Sequence, residues 1–127
     1  MDLAQYIEAI KKGLNTSAVI SSVEIVDERI LLNRGYFRAR LILSNEDFLE
    51  IAESFAIQAD QCITLDYRYQ WMNGSKQILK QRWDSVKHFP DLPNFPHHVH
   101  VGSDANVEPG QARSIIEFIN FIESELG

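Results

Sequence analysis

Cysteine is nearly missing: Cys62 is the only one in 127 residues, so no disulfide can form within the chain and a reducing, cytoplasmic setting fits. Nothing approaches the roughly 18 consecutive apolar residues that a bilayer-crossing helix needs. The opening segment, Met1 to Lys12, is acidic and amphipathic rather than a charged head before an apolar run, so it does not read as a secretory signal. Basic residues do not dominate either: 12 Lys and Arg stand against 18 Asp and Glu, a net charge of −6, which argues against a nonspecific nucleic-acid coat. A local basic patch is still allowed. Walker, Rossmann, nucleophile-elbow and zinc-protease motifs, internal repeats, low-complexity tracts and linkers are all absent, and the expectation is one domain over residues 1–127.

What is present is a change of period along the chain. Leu3, Tyr6, Ile7, Ile10 and Leu14 recur at helical spacing, which predicts an amphipathic helix over residues 2–14 that Gly13 and Asn15 help to stop. Ile115, Phe118, Ile119, Ile122 and Leu126 trace a second stripe, and Pro109 suggests that this helix begins between Asn106 and Pro109. Between them the pattern alternates: residues 18–30, Phe37 to Leu43, Leu49 to Ile57 after the turn Ser44 to Asp47, and Ile63 to Trp71. Glu53 falls on an apolar side and is expected near an edge or paired. After Met72-Asn73-Gly74, a three-residue loop with Gly74 left-handed matches Leu79 and Trp83 to the Tyr67/Tyr69/Trp71 face, and puts Lys76, Lys80, Arg82 and Asp84 on the other.

The predicted fold is therefore α+β. About five strands form an antiparallel β-meander, an N-terminal and a C-terminal helix pack on one face, and a long His/Pro-rich loop precedes the last helix. The uncovered face would carry Arg38, Arg40, Arg68, Lys76, Lys80 and Arg82 against Glu50, Asp66 and Asp84. Ordinary cross-strand ion pairs are the plain account of such residues taken singly.

Residues 82–102 concentrate the chemistry. All four histidines (His88, His97, His98, His100) and three of the four prolines (Pro90, Pro93, Pro96) lie there. Prolines at every third position keep a segment extended. Phe89, Leu92 and Phe95 would anchor it. In an extended chain His98 and His100 point one way and His97 the other. Two imidazoles beside a cationic face suit phosphodiester cleavage, one removing a proton and another supplying it, with Arg82 or Arg68 stabilising charge on phosphorus. They equally suit a divalent metal such as zinc, held by His98, His100 and a third ligand such as His88 or Asp91. Asp84 would orient a histidine or pair with a neighbour of Arg82. A third possibility is structural: imidazoles bonded to backbone carbonyls and stacked on Phe89, Phe95 or Trp83.

The run Arg82-Trp83-Asp84, then His88, then Phe95-Pro96-His97-His98-Val99-His100 resembles the TumE family of bacterial toxin–antitoxin toxins. Gly35 to Arg40 and Tyr67-Arg68-Tyr69 are also similar to that family, whose pattern carries a second histidine where this chain has Phe89. The resemblance implies a small cytoplasmic toxin, encoded beside a cognate antitoxin and inhibiting growth; it implies no reaction. Joined to the residue-level reading, the expectation is a metal-independent, endoribonuclease-like toxin without a cofactor. Arg38, Arg40, Arg68, Lys80 and His97 would hold RNA, and His88, His98, His100, Arg82 and Asp84 would be catalytic. The alternatives are a metal-dependent hydrolase or transferase using His88, His98 and His100, and a non-catalytic binding module with a basic sheet face.

Overall fold

A computed structural model describes residues 1–127. Helix α1 (Leu3–Thr16) starts at Asp2, whose carboxylate accepts from the Gln5 backbone N–H while the Gln5 side chain accepts from the Asp2 N–H, a closed capping box. Gly13 does not end it. The helix runs on to Thr16, and Gly13 faces the second helix, where a Cβ would make ordinary contact with Ile119 at 3.5 Å.

The strands are β1 (Ile20–Leu31), β2 (Arg34–Leu43), β3 (Phe48–Gln58), β4 (Gln61–Met72), β5 (Leu79–Asp84), β6 (His98–Val101) and β7 (Val107–Pro109), followed by α2 (Ile115–Leu126). They form one seven-stranded sheet in chain order, every neighbouring pair antiparallel. The α+β class and the antiparallel meander match the expectation; the strand number does not. Of the two extra strands, β6 comes out of the segment expected to be a loop and β7 out of the expected start of the last helix. β6 is the four-residue alternation His98-Val99-His100-Val101, paired to β5. β7 holds Pro109, opposite His98 at the sheet's edge, where a residue without an N–H costs no ladder bond on its outer side. Pro109 thus belongs to a strand rather than to a helix start. The true start is Ser114, which closes a capping box with Glu117 through bonds of 2.9 and 3.1 Å.

The β4–β5 hairpin corrects a second expectation. Its loop spans residues 73–78, with the Asn73 side chain accepting from the N–H groups of Gln77 and Ile78 at 3.0 Å each. Lys76, not Gly74, takes the left-handed conformation, at φ 62°. From Gln81 onward the parity is nevertheless the expected one, with Tyr69 opposite Trp83 and Arg68 opposite Asp84, whereas Leu79, expected with the aromatic face, pairs with Met72 across a register shift. Phe37, Ile51, Phe55, Tyr69 and Trp83 therefore join both helices in the core, and the other face is left to polar residues.

Glu53 is fully buried on β3, which lies inside the sheet rather than at an edge. Its carboxyl accepts from Tyr6 (2.7 Å), Thr64 (2.8 Å) and the Ile115 N–H at the start of α2 (2.8 Å), so one acid ties both helices to the sheet. Burial pushes its pKa above the usual 4.5 in spite of those bonds. A raised acid pKa means the fold holds the proton more tightly than the unfolded chain does. That contribution to stability is complete below the unfolded value and is lost as pH climbs through the raised one. Urea midpoints from pH 5 to 8 should fall more steeply for the wild type than for Glu53→Gln, which cannot ionise; parallel profiles would show that the proton on Glu53 is not linked to folding.

Candidate functional site

The uncovered face bears a buried cluster at its β5–β6 end. Cross-strand register sets Asp84 opposite His98 and Arg82 opposite His100, so period-two alternation delivers four chemically active side chains to one side. Asp84, His98 and His100 are 4%, 2% and 6% exposed, far below what free surface histidines show. The His98 and His100 rings lie 4.9 Å apart between centroids, nearly perpendicular. Both present Nε2 to Asp84: His98 at 2.9 Å from Oδ1 and His100 at 3.8 Å from Oδ2.

The opposite ring nitrogens are anchored. His98 Nδ1 lies 2.9 Å from the Pro96 carbonyl oxygen and His100 Nδ1 2.9 Å from that of Asp104. A carbonyl only accepts, so each Nδ1 carries the hydrogen, and in the neutral ring each Nε2 is a bare lone pair. His98 Nε2 is close enough to Asp84 for a hydrogen bond but out of line for one, and it has no hydrogen-bond partner. Asp84 Oδ1 accepts instead from the Val86 N–H at 3.1 Å. Arg82 spans the cluster's rim, with Nε 3.5 Å from Asp84 Oδ2 and Nη1 2.8 Å from Asp104 Oδ1.

Phe89 is the cover. Its backbone is left-handed (φ 57°), which turns the chain back over the sheet, and its ring sits 5.2 Å from His98 and 6.2 Å from His100. His88 is exposed, edge-on to Phe89, and stands apart from the cluster, as does exposed Asp91. His97 points the other way along the chain and stacks flat on Tyr67 at 5.7 Å, its Nδ1 2.8 Å from the Tyr67 hydroxyl. That hydroxyl is pushed up to about 12, by burial first and by the charge of Asp84 second.

Beside the cluster runs a groove of 960 Å³, walled by Tyr36, Arg38, Glu50, Arg68, Lys87 and His97 among others. It touches Ser85 and Pro96, chain neighbours of the cluster, but the buried triad does not line it. Of the basic residues expected to grip a ligand, Arg68 is exposed there and donates only to Gln70. Arg38 and Arg40 both bond Glu50 Oε2, at 3.2 and 3.1 Å. Burial alone would raise the Glu50 pKa, but Arg40 and Arg38 hold it below the usual glutamate range. Cross-strand pairing therefore accounts for these two arginines. Lys80 does not join the face: a register shift between Trp71 and Met72 leaves it as the extra residue, and it pairs with Asp47, which also accepts from the Trp71 indole at 2.9 Å.

Three participants were missed from the sequence: Asp104, Phe89 as a lid, and Lys87 in the groove wall. The run Gly102-Ser103-Asp104-Ala105-Asn106 signals a turn, but nothing in it says that its carbonyl and carboxylate fold back on His100 and Arg82.

A family model described as Toxin TumE matches residues 7–126, nearly the whole chain. The chain belongs to the TumE toxin family. TumE membership makes it the toxin of a toxin–antitoxin pair and implies a cognate antitoxin as partner. No curated protein and no solved structure matches it. No helix in it is long and apolar enough to cross a membrane.

Proposed function

We propose that this TumE toxin acts in the cytoplasm on RNA, cutting its phosphodiester backbone at the Asp84–His98–His100 cluster. The observation that carries the reading is the convergence of two buried imidazoles on one carboxylate, on the same sheet face as Arg82 and the Arg68 groove. Arg68 and Lys87 supply cationic contacts for phosphates, and half-buried Tyr36 in the groove wall offers a ring on which an unpaired base stacks. The 2′-oxygen attacks phosphorus as its proton passes to one imidazole. The bond from phosphorus to the 5′-oxygen breaks, and that oxygen takes a proton from the other imidazole. Arg82 faces the charge that gathers on the phosphoryl oxygens. This scheme needs no metal ion. It does need the 85–97 segment to lift, because Phe89 covers the rings.

A metal-assisted version of the same cleavage is the second reading. The anchoring of both Nδ1 atoms on backbone carbonyls favours it, since that arrangement leaves both Nε2 lone pairs facing inward.

The test compares untagged wild type, His98→Ala and Arg68→Ala on single-stranded RNA, with and without EDTA. His98→Ala should cut about 10²–10⁴-fold more slowly while still binding RNA. Arg68→Ala should bind more weakly, with a shallower dependence on salt. Folded His98→Ala and His100→Ala that still arrest growth as the wild type does would eliminate catalysis at this cluster and leave a binding module.

A further inference from the structure

We infer that Asp84, His98 and His100 form a binding site for one divalent transition-metal ion of the zinc class, with Asp84 rather than His88 or Asp91 as the third ligand. Three ligand atoms, two imidazole nitrogens and a carboxylate oxygen, lie within 4.8 Å of one another and are buried. A tetrahedral zinc with bonds of about 2.0–2.1 Å spaces its ligands about 3.3 Å apart. The Nε2-to-carboxylate distances, 2.9 Å to Oδ1 and 3.8 Å to Oδ2, bracket that spacing, and the whole set lies within 4.8 Å, so side-chain adjustments of about an ångström or more close the site.

Two further observations separate a metal from a shared proton. The first is the tautomer. Each Nδ1–H is spent on a backbone carbonyl, the outer-sphere arrangement that holds a ligating imidazole in place and raises its basicity. The second is direction. In an ion pair between imidazolium and carboxylate, the N–H should point at the oxygen. In a metal site the ligands flank the ion, so each lone pair points beside the neighbouring ligand instead. His98 Nε2 is 2.9 Å from Asp84 Oδ1, almost fully buried, and misaligned for a hydrogen bond. A bare lone pair and a carboxylate oxygen at that distance repel unless a cation lies between them. The surroundings favour one: Asp84 and Asp104 carry two negative charges against the single guanidinium of Arg82, which is turned toward Asp104.

Three protein ligands leave a fourth position open, as in hydrolytic zinc sites. Phe89 lies over the rings. With an ion on both Nε2 atoms the two imidazoles would be ligands rather than proton carriers, so occupancy favours the metal-assisted version of the cleavage, in which the ion would supply an activated water and a Lewis acid beside the groove. That role rests on the RNA-cleavage reading; the binding site itself does not.

Untagged full-length protein, stripped with EDTA, is titrated with Zn²⁺ and Co²⁺. The wild type should retain one equivalent of zinc through gel filtration, and Co²⁺ should give the visible d–d bands of four- or five-coordination. Asp84→Asn and His100→Ala should each weaken zinc at least about 100-fold, and His88→Ala should not. Should the variants misfold, Co²⁺ in the wild type still decides: the imidazole protons of His98 and His100 must be the paramagnetically shifted ones in its NMR spectrum. No uptake by the wild type, shifts on His88 or His97, or full affinity in folded Asp84→Asn overturns the site. Zinc binding without RNA cleavage would leave the metal site standing and refute the assigned reaction.

Discussion

Asp84→Asn is expected to abolish growth arrest and to slow RNA cleavage by about 10²–10⁴-fold, the range for removing an acid–base or charge-stabilising group. The carboxylate faces the Nε2 atoms of both histidines and the Nε of Arg82, so a single substitution uncouples all three. An amide keeps the shape but has one acceptor oxygen, and it cannot balance a cation, whether that cation is a proton on an imidazole or a metal ion. The variant should still fold, because Arg82 keeps its pair with Asp104 and an amide oxygen at Oδ1 still accepts from the Val86 N–H. An independent readout separates lost charge from lost structure. Part of the rise of the Tyr67 hydroxyl to about 12 comes from the charge of Asp84. In folded Asp84→Asn that hydroxyl should titrate lower, yet stay above 10.0 because burial, the larger cause, remains. NMR of labelled tyrosine measures this. A variant that shows the Tyr67 shift and is still fully toxic would remove Asp84 from the chemistry.

How far this site was legible in the sequence depended on the length of the repeating signal. The five longer strands alternate over at least six residues each, and matching Trp83 to Tyr69 was enough to send Arg82 and Asp84 to the uncovered face. His98 and His100 followed, because any extended chain sends residues two apart to the same side. β6 itself did not stand out. Four residues just after a proline-rich stretch carry too little periodicity to distinguish a strand from an extended loop. With β6 unrecognised, Pro109 looked like the first turn of a helix, although Ser114-x-x-Glu117 was the stronger start signal. Lys80 illustrates a different limit. Strict alternation puts it with Arg82, and only the irregularity between Trp71 and Met72 diverts it to Asp47. A bulge of that kind depends on how the hairpin loop closes, and here Lys76 rather than Gly74 supplies the left-handed residue. Contacts distant in sequence, such as those of Asp104 with Arg82 and His100, leave no periodic trace at all.

The second large effect is structural, and it lies directly beneath the site. Phe118 on α2 is fully buried, stacked on Tyr69 at 4.3 Å and edge-on to Trp83 at 5.0 Å. Trp83 is the residue between Arg82 and Asp84, so its ring fills the core while its neighbours' side chains build the cluster on the opposite face. Phe118→Ala should cost about 3–5 kcal/mol, the transfer loss of a phenyl ring plus the cavity it leaves. For a chain of this size that is a large share of the usual 5–15 kcal/mol total. The ring cannot be replaced by local collapse, because β4 and β5 hold Tyr69 and Trp83 through their own ladder. Leucine at 118 should recover part of the loss, and denaturant titration of the two variants gives the difference. A drop of less than 1 kcal/mol for the alanine variant would mean that α2 does not seat on the sheet through this ring. If it does seat there, toxicity should fall with the folded fraction rather than with any change at Asp84. Folded Phe118→Leu should then bind zinc and cleave RNA at the wild-type rate per folded molecule, whereas folded Asp84→Asn should do neither.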